Sequence, residues 1–141
     1  MAQYDKLSHL HAYREWAPTL LRIVVGTLFF LHGTSKLTGW DGWSGMITGT
    51  LGLPVFFAHL VAWTEIIGGA LLVPGFLTRY AAIPLGIIMI VAISAVKAPS
   101  GFMNGELDYT FLAVLISLLI TGPGRMAIDT RKKSKKPAKA S

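Results

Sequence analysis

The sequence predicts an all-α integral membrane protein, a four-helix bundle whose N- and C-termini are both cytoplasmic. Hydrophobic residues make up 52% of the 141 residues and charged residues only 14%, against about 25% charged in an ordinary soluble domain. The apolar residues fall into four long runs separated by Gly, Pro and charged residues. Each run approaches the roughly 20 residues that a helix needs to cross a bilayer.

One membrane domain, residues 17–125, accommodates all four spans. The first span begins beside Pro18, which suits the first turn of a helix. Pro74-Gly75, the segment after Lys97, and Gly122-Pro123 stop the later spans. A polar cytoplasmic lead (residues 1–16) and a basic, disordered cytoplasmic tail (residues 126–141) flank the domain. The predicted spans cover residues 17–37, 55–76, 79–97 and 107–122.

The distribution of basic residues predicts the orientation. Arg and Lys residues are enriched in cytoplasmic loops of membrane proteins. With four spans, one side of the membrane receives the basic groups before the first span, between the second and third, and after the fourth; these include Lys6, Arg14, Arg22, Arg79 and Lys132. The opposite loops have no basic excess. We therefore expect a multi-pass protein of the cytoplasmic membrane.

Composition also limits the chemistry. The chain has no cysteine, which excludes disulfides, thiolate metal sites and Cys-ligated iron–sulfur clusters. No intrinsic cofactor is predicted, so redox chemistry would use a bound molecule such as a quinone. The net charge of +6 lies largely in the tail, where it favours anionic membrane lipid over nucleic acid as a partner.

Glu65 is the most informative residue, because it lies near the middle of the second span and cannot easily reach water. A charged carboxylate there costs about 2.5 to 3.5 kcal/mol on insertion scales. Glu65 should therefore face the bundle interior and be either protonated or paired. The sequence leaves the partner open; the candidates are Arg22, His32, Lys36 and His59.

Two interpretations of Glu65 follow. In the first, it closes a structural network between helices, with Gly68 and Gly69 as helix-packing residues. In the second, Glu65 and His32 are catalytic residues that handle protons, in a pocket for a small amphipathic ligand with a quinone-like headgroup. The predicted ligand-binding residues are Arg22, Lys36, His59, Trp63 and Arg125.

Other residues define what these sites could bind. His32 and Lys36 share one helix face at i, i+4 spacing, but a lysine is a poor metal ligand, so no metal site is expected. This pair could instead donate hydrogen bonds to a lipid headgroup, a substrate anion or an acid on a neighbouring helix. Arg125 could anchor the end of the last span or bind an anionic lipid.

The sequence contains several short motifs in a characteristic order and spacing: Leu21-Arg22 with Gly26, His32-Gly33 with Lys36-Leu37, Leu51-Gly52-Leu53-Pro54, Thr64-Glu65 through Gly69, Gly75 through Arg79, and Gly122-Pro123-Gly124-Arg125 with Asp129. As a set, these motifs resemble the DoxX family of small membrane proteins. The resemblance covers residues 20–129 and implies a four-helix membrane fold. Some relatives are linked to thiosulfate:quinone oxidoreduction or to redox complexes that respond to oxidative stress.

The leading functional hypothesis is therefore a component of a quinone-linked redox or oxidative-stress system. Because the chain offers no redox centre of its own, it would serve as an oxidoreductase subunit only with a redox partner protein or a diffusible reductant. One alternative is a non-enzymatic membrane scaffold or assembly factor, and a further alternative is a small transporter or proton path. A homo-oligomer is compatible with each of them.

Overall fold

A computed structural model describes residues 13–97, 99 and 101–134. Within these residues the chain folds into six α-helices and no strands. Short π-helical turns at Met46–Thr50 and Ile93–Lys97, and a 3-10 turn at Phe102–Gly105, join or extend the helices. The helices are α1 (Trp16–Thr38), α2 (Trp40–Gly45), α3 (Val55–Leu72), α4 (Thr78–Ala92), α5 (Glu106–Thr121) and α6 (Ile128–Ser134).

Four of these segments are long and apolar enough to cross a membrane, as the sequence predicts. The first, third and fourth agree with the predicted spans within a few residues. The second span, helix α3, ends at Leu72, four residues before the predicted limit, because a turn begins at Val73. The spans are Trp16–Thr38, Val55–Leu72, Thr78–Lys97 and Met103–Thr121.

The four long helices alternate in direction and form a closed ring: α1 packs on α3 and α5, and α4 packs on the same two helices. Phe29, Leu85 and Leu115 are fully buried in the common core. The rings of Phe29 and Phe111 meet with centroids 5.1 Å apart. In an 18-residue stretch of each span, only 22–33% of the residues are buried. The outward faces of the helices are therefore apolar surface suited to lipid.

The two ends of the bundle differ in what they contain. We call the end where α1 and α4 begin, and where α3 and α5 end, the terminal end. The other end, which carries α2, is the loop end. At the terminal end the Arg125 N–H donates to the Glu15 carbonyl at 3.3 Å, so the two ends of the described chain meet on one side of the bundle.

Glycines bring α1 and α3 into close backbone contact. A Cβ added to Gly69 would lie 2.5 Å from the carbonyl oxygen of Gly26 and 2.6 Å from the nitrogen of Phe30. A Cβ on Gly33 would lie 2.7 Å from the carbonyl oxygen of Ala62. Gly68 has a different neighbour, the side chain of Leu85 on α4. Small residues thus set the spacing on two sides of α3, as they commonly do in membranes.

We expect Gly69→Ala to destabilise the bundle by about 1 to 3 kcal/mol, the usual cost of overpacking. The atoms that meet the new methyl group belong to the α1 backbone, which cannot rotate away. Gly45→Ala is the matched control, since a Cβ there meets nothing within 4 Å. Denaturant unfolding in detergent measures the free energy of unfolding of both variants. Equal stability of the two would contradict the close α1–α3 packing.

The segment predicted as a disordered tail is partly structured. Helix α6 occupies Ile128–Ser134, and the Ile128 and Asp129 N–H groups donate to the carbonyls of Pro74 and Gly75. The prediction of disorder from residue 126 is wrong for this part, because backbone hydrogen bonds attach it to the α3–α4 turn. Residues 135–141 of the predicted tail, and residues 1–12 of the predicted lead, lie outside the described residues.

Asp129 caps the start of α4. Its two carboxylate oxygens each accept one hydrogen bond, from the N–H groups of Leu77 and Thr78, both at 2.9 Å. Leu77 has a left-handed conformation with φ of 51°, which a side chain with a Cβ adopts only at a cost. Asp129 satisfies the N–H groups that this turn leaves free. The α3–α4 turn and α6 therefore form one unit.

Candidate functional site

Lys36 and Glu65 form an ion pair between α1 and α3 near the loop end. The Lys36 ammonium lies 2.5 Å from Glu65 Oε1. The Glu65 side chain is 1% exposed and the Lys36 side chain 21% exposed, so the lysine lies between the buried acid and the surroundings of the bundle. Gly33, one turn before Lys36, lets the two helices approach closely enough for this contact.

Trp43 covers the pair from α2. The Lys36 ammonium lies 4.4 Å from the centroid of a Trp43 ring, which is a cation–π contact. The indole N–H of Trp43 donates to the carbonyl of Ala58 at 2.9 Å, and this bond fixes α2 to the beginning of α3. Trp43 is not among the ligand-binding residues predicted from the sequence.

The second carboxylate oxygen of Glu65 has different surroundings. Among the described residues, Oε2 is buried and has no hydrogen-bond partner. A buried acceptor without a partner costs about 1 to 3 kcal/mol, and more when it is charged. This oxygen is therefore the atom of the site with unused capacity to bind a proton or a donor group.

His32 and Asp108 complete the electrostatic environment of Glu65. Both lie near enough to its carboxyl group to act on it through space. The His32 ring is exposed and meets the Phe111 ring edge-on at 5.7 Å. The structure thus brings together three of the predicted residues, Glu65, His32 and Lys36, and adds Trp43 and Asp108.

Trp63 and His59, two other predicted ligand-binding residues, lie apart from this cluster. Trp63 is two positions from Glu65, and at 3.6 residues per turn that spacing puts it on nearly the opposite side of α3. It is 50% exposed and lines a groove between α3 and α4 together with His59. The His59 ring also stacks on Trp40 at 4.1 Å. The structure does not assemble a pocket from Glu65, His32 and Trp63.

Arg22 lies at the terminal end and holds three chain segments together. Its side chain is 2% exposed. Nε donates to the Pro123 carbonyl at 2.8 Å, and Nη1 donates to the carbonyls of Leu72, at 3.1 Å, and Val73. Arg22 precedes Lys36 by 14 residues, or about 21 Å of helix. Lys36 is thus the basic residue that pairs with Glu65.

Arg22 also explains a glycine in the neighbouring turn. Gly75 has a φ of 71°, and a Cβ there would lie 2.9 Å from the Arg22 guanidinium carbon and 2.5 Å from the Ala127 side chain. Arg125, the last predicted ligand-binding residue, is exposed and borders a cavity at this end.

The fold and these contacts define a small multi-pass membrane protein with a buried ion pair between its first two long helices. The chain belongs to the DoxX family, whose family model matches residues 17–98. No solved structure matches the chain.

Three relatives show the range of names within the family. The chain is 40% identical over 116 residues to a Bacillus subtilis protein named "Putative oxidoreductase CatD", with 82% of this chain and 86% of the relative covered. It is 36% identical to the uncharacterized membrane protein Rv3486 of Mycobacterium tuberculosis, covering 86% of this chain and 85% of that protein. It is 33% identical to the inner membrane protein YqjF of Escherichia coli, covering 77% of this chain and 85% of that protein.

Proposed function

We propose that this protein is the membrane component of a quinone-linked redox or oxidative-stress system in the cytoplasmic membrane, and that it binds the headgroup of a small amphipathic, quinone-like molecule at the Lys36–Glu65 pair. The observation that carries the proposal is the buried Glu65 Oε2, which has no hydrogen-bond partner among the described residues. Buried ionisable groups in membrane helices commonly mark such sites. The oxidoreductase name of the Bacillus subtilis relative supports the redox class.

Each residue of the cluster has a defined part in this proposal. Lys36, which is partly exposed, donates a hydrogen bond to a carbonyl oxygen of the headgroup. Trp43 holds the ammonium in place and offers an aromatic face to the ring. Glu65 keeps the ammonium charged and exchanges a proton through its second oxygen, and the exposed His32 connects this proton with the loop end.

The electrons come from elsewhere in this proposal. Reduction of a quinone takes up two electrons and two protons, and the side chains of this cluster can supply only the protons. A redox partner protein or a diffusible reductant supplies the electrons. The quinone is then a substrate that enters from the membrane, which agrees with a site near one end of the bundle.

A scaffold function is the second candidate, and the α1–α3 interface favours it. The ion pair joins the same two helices that Gly26, Gly33 and Gly69 bring into backbone contact. In that case the pair fixes the register of α1 and α3 and binds no ligand. The two functions differ in whether removing the Glu65 charge changes ligand affinity.

We expect Glu65→Gln to weaken binding of a short-chain ubiquinone or menaquinone analogue about ten- to a hundredfold. Loss of one hydrogen bond to a charged group corresponds to about 1.5 to 3 kcal/mol, and glutamine keeps the size of the side chain. His32→Ala should have a smaller effect. Titrating each purified variant in nanodiscs with the quinone analogue measures its affinity. Extraction of co-purified quinone measures how much natural ligand each variant retains.

Asp41→Asn is the matched control, because Asp41 is an exposed acid of α2. It should leave quinone affinity unchanged. If Glu65→Gln and His32→Ala both fold and bind quinone as the parent protein does, the proposed site is wrong and the scaffold function is favoured.

A further inference from the structure

A cavity of about 1010 Å³, lined by several charged side chains, opens at the terminal end, separate from the Lys36–Glu65 pair. It lies between the start of α1, the start of α4 and the segment after α5. Three arginines, one from each of these segments, line it: Arg14, Arg79 and Arg125. Convergence of three cations from three separate segments indicates an anion site.

The three guanidinium groups retain their capacity to bind an anion. Within the described residues, no carboxylate forms an ion pair with any of the three arginines. Arg79 donates to the Ile120 carbonyl at 3.4 Å, a long bond that holds its side chain against the end of α5. Arg14 and Arg125 are exposed.

Two acids also line this cavity, Glu15 and Asp129. Both oxygens of Asp129 already accept hydrogen bonds from the start of α4. Glu15 is exposed, and its carbonyl, not its carboxylate, accepts the Arg125 N–H. The cavity therefore keeps a positive balance.

An apolar groove continues from this cavity along the membrane-facing side of the bundle. The groove lies between α3 and α4, has a volume of about 530 Å³, and includes Ile67, Leu71 and Trp63. Leu77 and Tyr80 border both the cavity and the groove. The cationic and apolar parts therefore form one continuous surface, with the guanidinium groups at the terminal end.

The groove is long enough to cross one leaflet of a bilayer. Half of a hydrocarbon core of about 30 Å is about 15 Å. Along α3 the groove lining runs from Leu71 back to Phe56, about 22 Å, and along α4 it reaches Pro84, about 10 Å from Leu77. A single acyl chain can lie in the groove while its headgroup stays at the arginines.

We propose that one anionic phospholipid occupies this joined surface, with its phosphate held by Arg14, Arg79 and Arg125 and one acyl chain in the groove between α3 and α4. Guanidinium groups match phosphate oxygens in geometry and charge. Basic pockets beside membrane helices are suited to anionic headgroups. A free phosphate ion would use the arginines alone and leave the groove without a function.

Native mass spectrometry of the protein in detergent tests this proposal, with phosphatidylglycerol and phosphatidylcholine of identical acyl chains and with inorganic phosphate as probes. We expect a clear preference for phosphatidylglycerol. Arg14→Gln combined with Arg125→Gln should weaken phosphatidylglycerol binding about 30-fold, from about 1 kcal/mol for each basic residue. Both residues are exposed, so the fold should persist. Arg131→Gln, an exposed cation of α6 outside the cavity lining, should change nothing.

A second pair of variants tests the groove. Ile67→Trp fills it, whereas Ile90→Trp adds the same side chain to an equally exposed position, since both isoleucines are 55% exposed and Ile90 is not in the groove lining. Only Ile67→Trp should reduce phosphatidylglycerol retention. Equal retention in the double arginine variant, or binding of inorganic phosphate as tight as that of the lipid, would overturn the proposal.

Discussion

Replacing Lys36 with methionine should destabilise the bundle by about 3 to 5 kcal/mol, the usual cost of leaving one member of a buried ion pair without its partner. Glu65 is 1% exposed, and Oε1 makes its contact with Lys36, while Oε2 has no partner among the described residues. Removing the ammonium would leave both carboxylate oxygens unsatisfied. Denaturant unfolding of the purified variant in detergent measures the loss.

The double variant Lys36→Met/Glu65→Leu separates stability from function. Apolar replacement of both members of a buried pair is often neutral or stabilising, so the double variant should recover most of the stability. It should not recover quinone binding if the proposed function is correct. A double variant as unstable as Lys36→Met alone would show that the contact of the Lys36 ammonium with the Trp43 ring, not the unpaired Glu65 charge, sets the cost.

The second large effect is expected at Arg22. Arg22→Met removes three hydrogen bonds to the carbonyls of Leu72, Val73 and Pro123. Hydrogen bonds to charged groups contribute about 1.5 to 3 kcal/mol each, and because such terms are not additive we expect a total loss of at least about 3 kcal/mol. Denaturant unfolding measures this loss of stability, and a smaller monodisperse fraction in size-exclusion chromatography should accompany it.

Arg22→Lys and Arg131→Met serve as comparisons for this prediction. Lysine keeps the charge but lacks the planar fork that reaches separate carbonyls, so its stability should be intermediate. Arg131 is exposed, and its replacement should have little effect. An Arg22→Met protein as stable as the parent would contradict the role of Arg22 in joining α1 to the ends of α3 and α5.

Much of the fold follows from composition and chain order. The apolar runs have the length of membrane spans, and Pro or Gly residues end them, so the four helices were predictable from local sequence. The buried position of Glu65 was predictable too, because a charged group in mid-span has to turn away from lipid. The candidate partners of Glu65 included Lys36, but helix periodicity alone could not choose among four basic residues.

Some predicted associations failed because they depend on which face each helix turns to its neighbours. Trp63 is close to Glu65 in sequence but lines the outer groove between α3 and α4. Trp43 is 22 positions away from Glu65 and contacts Lys36, because α2 folds back over the beginning of α3. The tail after residue 126 has few apolar residues, yet the α3–α4 turn binds its first part through backbone hydrogen bonds.

By itself, the sequence determined a four-span membrane bundle with a buried acid in its second span, because lipid imposes span length and penalises charge whatever the tertiary arrangement. Only the tertiary structure decided that Lys36 pairs with Glu65, that Arg22 joins the helix ends, and that three arginines meet above an apolar groove. These contacts depend on helix rotation and on close approach at Gly26, Gly33 and Gly69. Such distances arise only when all four helices pack together.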